Sequence, residues 1–509
     1  MALFTPLRRW QPAFRPFGRT GLPGRMLAFT ERCVKGPLFG CRMCGNCLLQ
    51  ETAFICHMEC PKGIRNGPCG GVNSGYCYVD PKRRCVWALI YERSRRMHRE
   101  HRLLEVLPPV DWDRAGTETW GEVVRKVREA GLRMIFFPAG IKSHGRGKSQ
   151  AQPGRQTHGQ PPGQFGKDSS GHRQTWRYVV GNNLEELVFK PIRQPEWWKG
   201  DTEYHPPTVT GPRSFLESSL RAGKFVITSE ITPPLSASAD RLNEKIDLIK
   251  PWVSAINFTD GSSAIPRMSS IACCSVAAAH GADPVLQISA RDSTRSGLQS
   301  QAVGANILGV KNILCLSGDS PRVGPKPRGN LNIIDLDSVQ MLWILRRMRD
   351  EGIWLDGREM KHRPQFFLGA AASPFAQDPS LQVIRDRKKI NAGAQFFQTN
   401  LVFDPDRLDS WLENLEKQHL LDKVFVLVGV SPLRTLNMAK YLNDRIPGIT
   451  VPDNIMKRME QAGADAAEEG IRIAVETIRR LRTKPGISGV HIMPLGWEAA
   501  VPQIVNASF

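Results

Sequence analysis

Long apolar runs are missing from this 509-residue sequence. No stretch approaches the ~18 consecutive apolar residues of a membrane-spanning helix, so no helical membrane span is expected. Acidic residues are missing from the opening stretch, where five arginines precede Glu31. MALFTPLRRWQPAFRPFGRTGLPGRMLAF has the basic bias of a presequence, but its prolines and glycines disfavour an amphipathic helix. Residues 1–32 are therefore expected to form a basic arm. Aliphatic side chains are nearly missing from residues 141–175, which are rich in Gly, Gln, Ser, Pro and His. Such sequence cannot bury enough apolar surface to offset its ordering entropy, and a disordered basic linker is expected there. A tether with the aromatic anchors Trp176, Trp197 and Trp198 continues it to residue 214. The dinucleotide fingerprint GxGxxG is also missing after every strand-like run, which counts against a Rossmann sheet.

The length implies two to four domains. Lys and Arg number 69 against 49 Asp and Glu, a formal charge of +20. The imbalance is uneven. Residues 1–214 hold 34 basic and 18 acidic side chains (+16), leaving 35 and 31 (+4) for residues 215–509. A basic front portion suits an anionic surface or an acidic redox partner. Nucleic-acid binding is disfavoured, because the basic region lacks interleaved aromatics and a recognition helix.

From Phe215 onward, short β-branched and aromatic runs alternate with helix-like stretches. The runs are FVITSE (225–230), SAINFTD (254–260), PVLQIS (284–289), KNILCLSGD (311–319), QFFLGAA (365–371), AQFFQTNLV (394–402), KVFVLVGV (423–430) and GVHIMP (489–494). Eight buried strands alternating with helices over residues 215–509 give the pattern of an α/β (β/α)8 TIM barrel. In such a barrel the loops after the strands build the active face. Polar residues at strand ends are therefore candidates: Glu230, Asn257, Thr259, Asp260, Gln287, Ser289, Asp292, Asp319, Gln398 and Asn400. Glu230 and Asp319 are expected to converge on one mouth that takes a polar heterocycle.

Nine of the twelve cysteines crowd into residues 33–85. The spacing is Cys41-x2-Cys44-x2-Cys47-x8-Cys56-x3-Cys60, followed by Cys69, Cys77 and Cys85. These thiols sit in polar, turn-forming sequence, with no sign of export that would favour disulfides. A metal-binding domain over residues 33–140, with a helical extension, is expected. Three cysteines at two-residue gaps with a distant Cys60-Pro61 match the ferredoxin arrangement, and eight thiols could ligate two [4Fe–4S] clusters. Zinc held by four thiolates is the alternative, which would make the module structural. His57 lies among the ligands and reads as a neighbour of the site or a surface residue.

Two resemblances emerge from these motifs. CxxCGxC…IC…CxKGxxNGPCGG, with Cys77 and Cys85-Val-Trp beyond, resembles the cysteine-rich domain of the iron–sulfur subunit that accompanies acetogen-type methylenetetrahydrofolate reductase. Residues 215–509 resemble the bacterial methylenetetrahydrofolate reductase barrel. SEITPP, SGDSP, KKINAGAQFFQTNLVFD and VGVSP match its first, fourth, sixth and seventh strand regions.

The resemblance implies a flavin, FAD ahead of FMN, and interconversion of 5,10-methylene- and 5-methyltetrahydrofolate. Glu230 is implied as the acid that protonates the departing folate nitrogen. Asp319 would hold the pterin and tune charge, and Asn400 stands where a pterin-binding Gln is usual. Thr259, Gln287 and Asp292 are implied around the flavin, with Lys389 on its phosphate. Ser317 and Ser373 replace an Arg and a Tyr that touch FAD in the better-known enzymes. The implied partners are the tetrahydrofolate substrate, NAD(P)H or a ferredoxin-like electron donor, and a redox or methyltransferase protein. The implied location is cytoplasmic, and self-association into a homo-oligomer is left open. A competing reading is a barrel without turnover that docks through its metal module onto a methyl-transfer assembly.

Overall fold

The structure, a computed structural model, describes residues 22–121, 197–198, 200–322, 324–326, 334–375, 379–446 and 448–509. The expected linker at 141–175, Trp176 and the helix-like stretch beyond residue 121 lie outside the described residues.

The cysteine-rich module opens with helix α1 (Leu22–Phe39). The expected basic arm therefore ends before residue 22, and helix runs through the boundary placed at residue 32. Pro23 occupies the first turn, where a missing N–H costs nothing, and Pro37 falls in the last turn. Glu31 is what fixes this helix. It is buried, pairs with Lys35 Nζ at 2.5 Å, and accepts the backbone N–H groups of Thr119 at 2.6 Å and Trp120 at 3.1 Å. Short antiparallel strands β1 (Val72–Asn73), β2 (Tyr76–Cys77) and β3 (Asp80–Arg84) follow, then helix α2 (Val86–Arg96). The apolar face of α2 packs Trp87, Ile90 and Tyr91 on Ile55 and Leu103, and Trp87 Nε1 donates to Ile64 O at 2.9 Å.

Helix α3 (Phe215–Arg221), capped by Ser214, leads into the barrel. Its parallel strands are β4 (Val226–Ile231), β5 (Ala255–Phe258), β6 (Pro284–Ser289), β7 (Asn312–Leu316), β8 (Phe367–Ala372), β9 (Phe396–Leu401), β10 (Phe425–Val430) and β11 (Gly489–Ile492). They pair in chain order, and β11 closes on β4 through Gly489↔Val226 to Ile492↔Ser229. All eight coincide with the strand-like runs, and the TIM barrel is the fold. Helices α4 (Ser338–Asp350) and α5 (Pro379–Asn391) flank β8 on its two sides in sequence. Outward-facing aliphatics, such as Ile256, Leu286, Ile313 and Val428, join the helices in one large core. Among the described residues, no helix is long and apolar enough to cross a membrane.

Alternation along the strands sorts the lumen into levels. The bottom level is apolar: Val226, Val285, Leu314, Phe367, Phe396 and Leu427. Leu216 and Leu220 of α3 close it from below, and Phe367 stacks on Phe396 at 4.8 Å between ring centroids. Two residues further along β4, β5, β6, β9 and β11 the lumen turns polar.

The module docks on the barrel through Asp337, the N-cap of α4. Its Oδ1 accepts the N–H groups of Val339 (3.1 Å) and Gln340 (3.0 Å). Its Oδ2 accepts Arg65 N (3.0 Å), Asn66 N (2.9 Å) and Asn66 Nδ2 (3.0 Å) from the module. Asp335 adds a second link, accepting Trp112 Nε1 at 3.0 Å while pairing with Arg295 at 2.6 Å. Trp198, one of the expected aromatic anchors, lies over Trp343 at 3.9 Å and donates to Val106 O at 3.0 Å.

Replacing Asp337 by Ala strips a helix cap and orphans the buried N–H groups of Arg65 and Asn66, while Asn66 Nδ2 keeps the Leu107 carbonyl. Such a loss costs about 3–5 kcal/mol. Urea unfolding of the Asp337→Ala chain is expected to show that deficit, with faster protease cleavage of the module.

Candidate active site and thiol clusters

Above the apolar floor, Thr228, Asn257, Gln398 and His491 face one another across the lumen. Asn257 Nδ2 donates to Gln398 Oε1 at 2.7 Å, and Gln398 Nε2 donates back to Asn257 Oδ1 at 3.1 Å. The same Nε2 reaches Thr228 Oγ1 at 3.3 Å, and His491 Nδ1 lies 2.9 Å from Thr228 Oγ1. Gln287, also buried, lies at this level on β6 by strand alternation. Four strands are thus cross-linked by a polar layer without charged side chains other than what His491 could carry.

The next residues inward along the same alternation form the rim: Glu230, Thr259, Ser289, Asn400 and Ser431. Glu230, with its side chain 12% exposed, sits 3.6 Å from His491 Nε2. Asn400 Nδ2 lies 3.4 Å from Ser373 Oγ. Thr259 Oγ1 and Ser431 Oγ are buried with no hydrogen-bond partner. Orphaned hydroxyls at a polar mouth are the mark of a surface built for a ligand with polar edges. His491 and Ser431 were not among the sequence candidates. Both lie at lumen-facing positions two residues beyond a glycine in their strands, a parity that would have found them.

Asp319, on the turn after β7, accepts the N–H of Ser263 at 2.8 Å from the turn after β5. Nearby, Asp260 Oδ2 accepts Ser289 N at 2.7 Å, and burial pushes its carboxyl pKa up. The Asp292 carboxylate is held in the guanidinium fork of Arg291, with Ser289 Oγ of the rim 3.5 Å from its Oδ2. Lys389, the residue implied for a flavin phosphate, lies beneath the end of β8. It is buried, its Nζ donates to the Ala371 carbonyl, and burial, with Arg385 beside it, lowers its pKa to about 7. Its lysine neighbours the strand rather than open solvent, because the helix is turned by the burial of Val383 and Ile390.

The eight module thiols divide into two sets of four by their mutual influence. Cys44 is among the neighbours that raise the pKa values of Cys41, Cys47 and Cys56, and Cys69 among those that raise the pKa values of Cys60, Cys77 and Cys85. Burial is the larger cause, and it takes Cys41, Cys60 and Cys85 to about 12. Among the described residues, no three His, Cys, Asp or Glu side chains converge closely enough to hold one metal ion.

The surroundings of the first set are cationic. Lys35 Nζ lies 3.8 Å from Cys47 Sγ. Arg65 is buried with Nε, Nη1 and Nη2 all lacking hydrogen-bond partners, and it faces Cys44, Cys56 and Asp337. A buried guanidinium without partners costs several kcal/mol, a cost that an adjacent anionic centre offsets. His57 Nε2, also buried and unpartnered, lines the cavity these four thiols share. No single-ion site is formed among the described residues, and thiols beside unpartnered buried cations are the donor chemistry that an anionic multinuclear cluster requires.

The second set lies against the barrel mouth. A Cβ on Gly70, which has φ +83°, would stand 2.7 Å from Ser373 Oγ. A Cβ on Gly448 would meet Asn400 Nδ2 at 3.2 Å and Gly70 O at 3.6 Å. The NGPCGG loop carrying Cys69 therefore rests directly on rim residues, an approach only glycine permits.

A closed α/β barrel with a charged, hydroxyl-rich carboxyl rim and a thiol-rich module seated on it is the class defined by fold and site. Residues 215–508 match the family model described as methylenetetrahydrofolate reductase, and residues 24–113 match one described as methylene-tetrahydrofolate reductase C terminal. The first match covers more than half of the sequence, and the chain belongs to the methylenetetrahydrofolate reductase family.

Methylenetetrahydrofolate reductase 1 of Schizosaccharomyces pombe is 21% identical over 303 residues, 56% of this chain and 46% of that protein. Methylenetetrahydrofolate reductase 2 of Saccharomyces cerevisiae is 20% identical over 277 residues, 52% of this chain and 43% of that protein. The chain thus spans less than half the length of these curated relatives. A solved Clostridium thermocellum protein, described as binding two copies of 5-methyl-5,6,7,8-tetrahydrofolic acid, superposes with a TM-score of 0.43 at 14% identity, over 58% of this chain and 99% of its own.

Gln398→Leu would leave Asn257 without its buried partner and take one contact from Thr228, which keeps His491. A loss of about 2–3 kcal/mol is expected, read as a lower urea midpoint at unchanged m-value.

Proposed function

We propose that this chain is a cytoplasmic flavin-dependent oxidoreductase that interconverts 5,10-methylene- and 5-methyltetrahydrofolate. The single observation that carries the reading is the placement of Glu230. It stands on the lumen face of the first barrel strand, at the rim, with His491 Nε2 3.6 Å away. Family membership supports the same reading.

Flavin, when bound, supplies or accepts the hydride. The chain's residues handle protons and position. In the reducing direction the bond from the one-carbon bridge to one folate nitrogen breaks and leaves a cation on the bridge. Glu230 gives its proton to the departing nitrogen, and the hydride completes the methyl group. His491, fixed through Nδ1 by Thr228 and Gln398, holds the Glu230 carboxyl toward the mouth. Asn400 and Ser373 offer an amide and a hydroxyl to the pterin edge, and Asp319 holds its far side. Thr259, Gln287 and Ser431 are suited to the flavin ring or its polyol chain. FAD stands ahead of FMN as the flavin. The polar layer below is closed by the apolar floor, so water reaches the reacting atoms only from above.

In the module we assign one [4Fe–4S] cluster to each set of four thiols. The buried charge of Arg65 and Lys35 suits an anionic cluster. Electrons from a ferredoxin-like donor, or from NAD(P)H through a partner protein, would enter by this route. Metal analysis of anaerobically purified protein decides it: about eight irons per chain are expected, and stoichiometric zinc with no iron would make the module structural.

Glu230→Gln keeps shape and hydrogen bonding but cannot deliver the proton. Turnover of methylenetetrahydrofolate is expected to fall about 100- to 10,000-fold with flavin still bound. Activity at the wild-type level in that variant would remove Glu230 from the chemistry.

A further inference from the structure

Lys62 belongs to the cysteine-rich module, yet its side chain ends inside the barrel rim. It is buried, and its Nζ donates to the carbonyl oxygen of Gly318 at 2.5 Å across a separation of 256 residues. The ammonium also lies 4.8 Å from the centroid of the Tyr78 ring, with the Cys69 thiol as its first charge partner and the carboxylate of Asp319 as a further one. Tyr78, another module residue, accepts the N–H of Ser320 through its hydroxyl at 3.1 Å. The module therefore holds both ends of the Gly318–Ser320 turn.

That turn has little room to move. Gly318 has φ +70°, and a Cβ there would stand 2.9 Å from Ser289 Cβ. On the far side Asp319 is tied to Ser263. A turn so confined needs no buried cation for its shape, since Tyr78 and the Ser263 N–H already fix it. Burying an ammonium is costly unless its charge is matched. Here the charge is kept, at the rim, beside one of the two acids of the mouth.

We infer that Lys62 is a positioning residue of the active face, a cation supplied by the module to the Gly318–Asp319 turn that favours reduced over oxidised flavin at the rim. The inference rests on the flavin reading above. Its physical content is differential binding: reduced flavin carries more negative charge than oxidised flavin, so a nearby fixed cation strengthens binding of the reduced form more.

The test uses the full-length chain, purified anaerobically, with oxidised and dithionite-reduced FAD and FMN titrated separately. Lys62→Met keeps the length of the side chain and removes the charge; Lys62→Arg keeps the charge. Tyr78→Phe loosens the same contact with no change of charge. The expected result is a ratio of reduced to oxidised flavin affinity about tenfold lower in Lys62→Met, a charge effect at moderate effective dielectric. Lys62→Arg should restore most of the ratio, and Tyr78→Phe should leave it unchanged. Because the ratio is internal to each variant, a general loss of stability does not mimic it. An unchanged ratio in Lys62→Met, or equal weakening of both redox forms, overturns the inference while leaving the flavin reading standing. Wild-type protein that binds neither flavin in either form overturns both.

Discussion

One carboxylate holds the two halves of this molecule in register. Asp337 uses one oxygen to start a barrel helix and the other to collect three donors from the cysteine-rich module. The two duties are inseparable, because a carboxylate rotated to favour one would abandon the other. Everything the module brings to the rim depends on this alignment. Gly70 meets Ser373, Tyr78 meets Ser320 and Lys62 meets Gly318 only while Arg65 and Asn66 are fixed a few residues away.

The barrel below obeys a simpler rule. Period-two alternation sends every second side chain inward, and chemistry changes with height along the axis. Val226, Thr228 and Glu230 on a single strand sample floor, polar layer and rim in turn. Phe396, Gln398 and Asn400 repeat the progression on another strand. The uncharged layer between floor and rim does two things. It satisfies its own donors and acceptors internally, and it presents His491 Nε2 upward toward Glu230.

Much of this was legible in the sequence because strands buried on both faces leave a strong signal. FVITSE, PVLQIS and KVFVLVGV could hardly be anything else, and each is a strand. Glu230, Gln287 and Asn400 stood out as polar residues at the ends of such strands. What was not legible depended on contacts between residues far apart in sequence. Nothing near Lys62 or Arg65 signals that their partners lie more than 250 residues away. Lys389 came from the resemblance alone, and its burial beneath strand β8, with Nζ on the Ala371 carbonyl, has no local signature. Helix α1 was missed because proline was weighed without its position, and because the burial of Glu31 against Thr119 and Trp120 has no local signature.

The plug formed by Leu216 and Leu220 makes the barrel a well, not a tube. Whatever descends to Glu230 must retreat along the path by which it arrived, between the strand ends and the glycine-edged lip of the module. Traffic in both directions is then governed at one gate, and that gate is assembled from distant stretches of a single polypeptide.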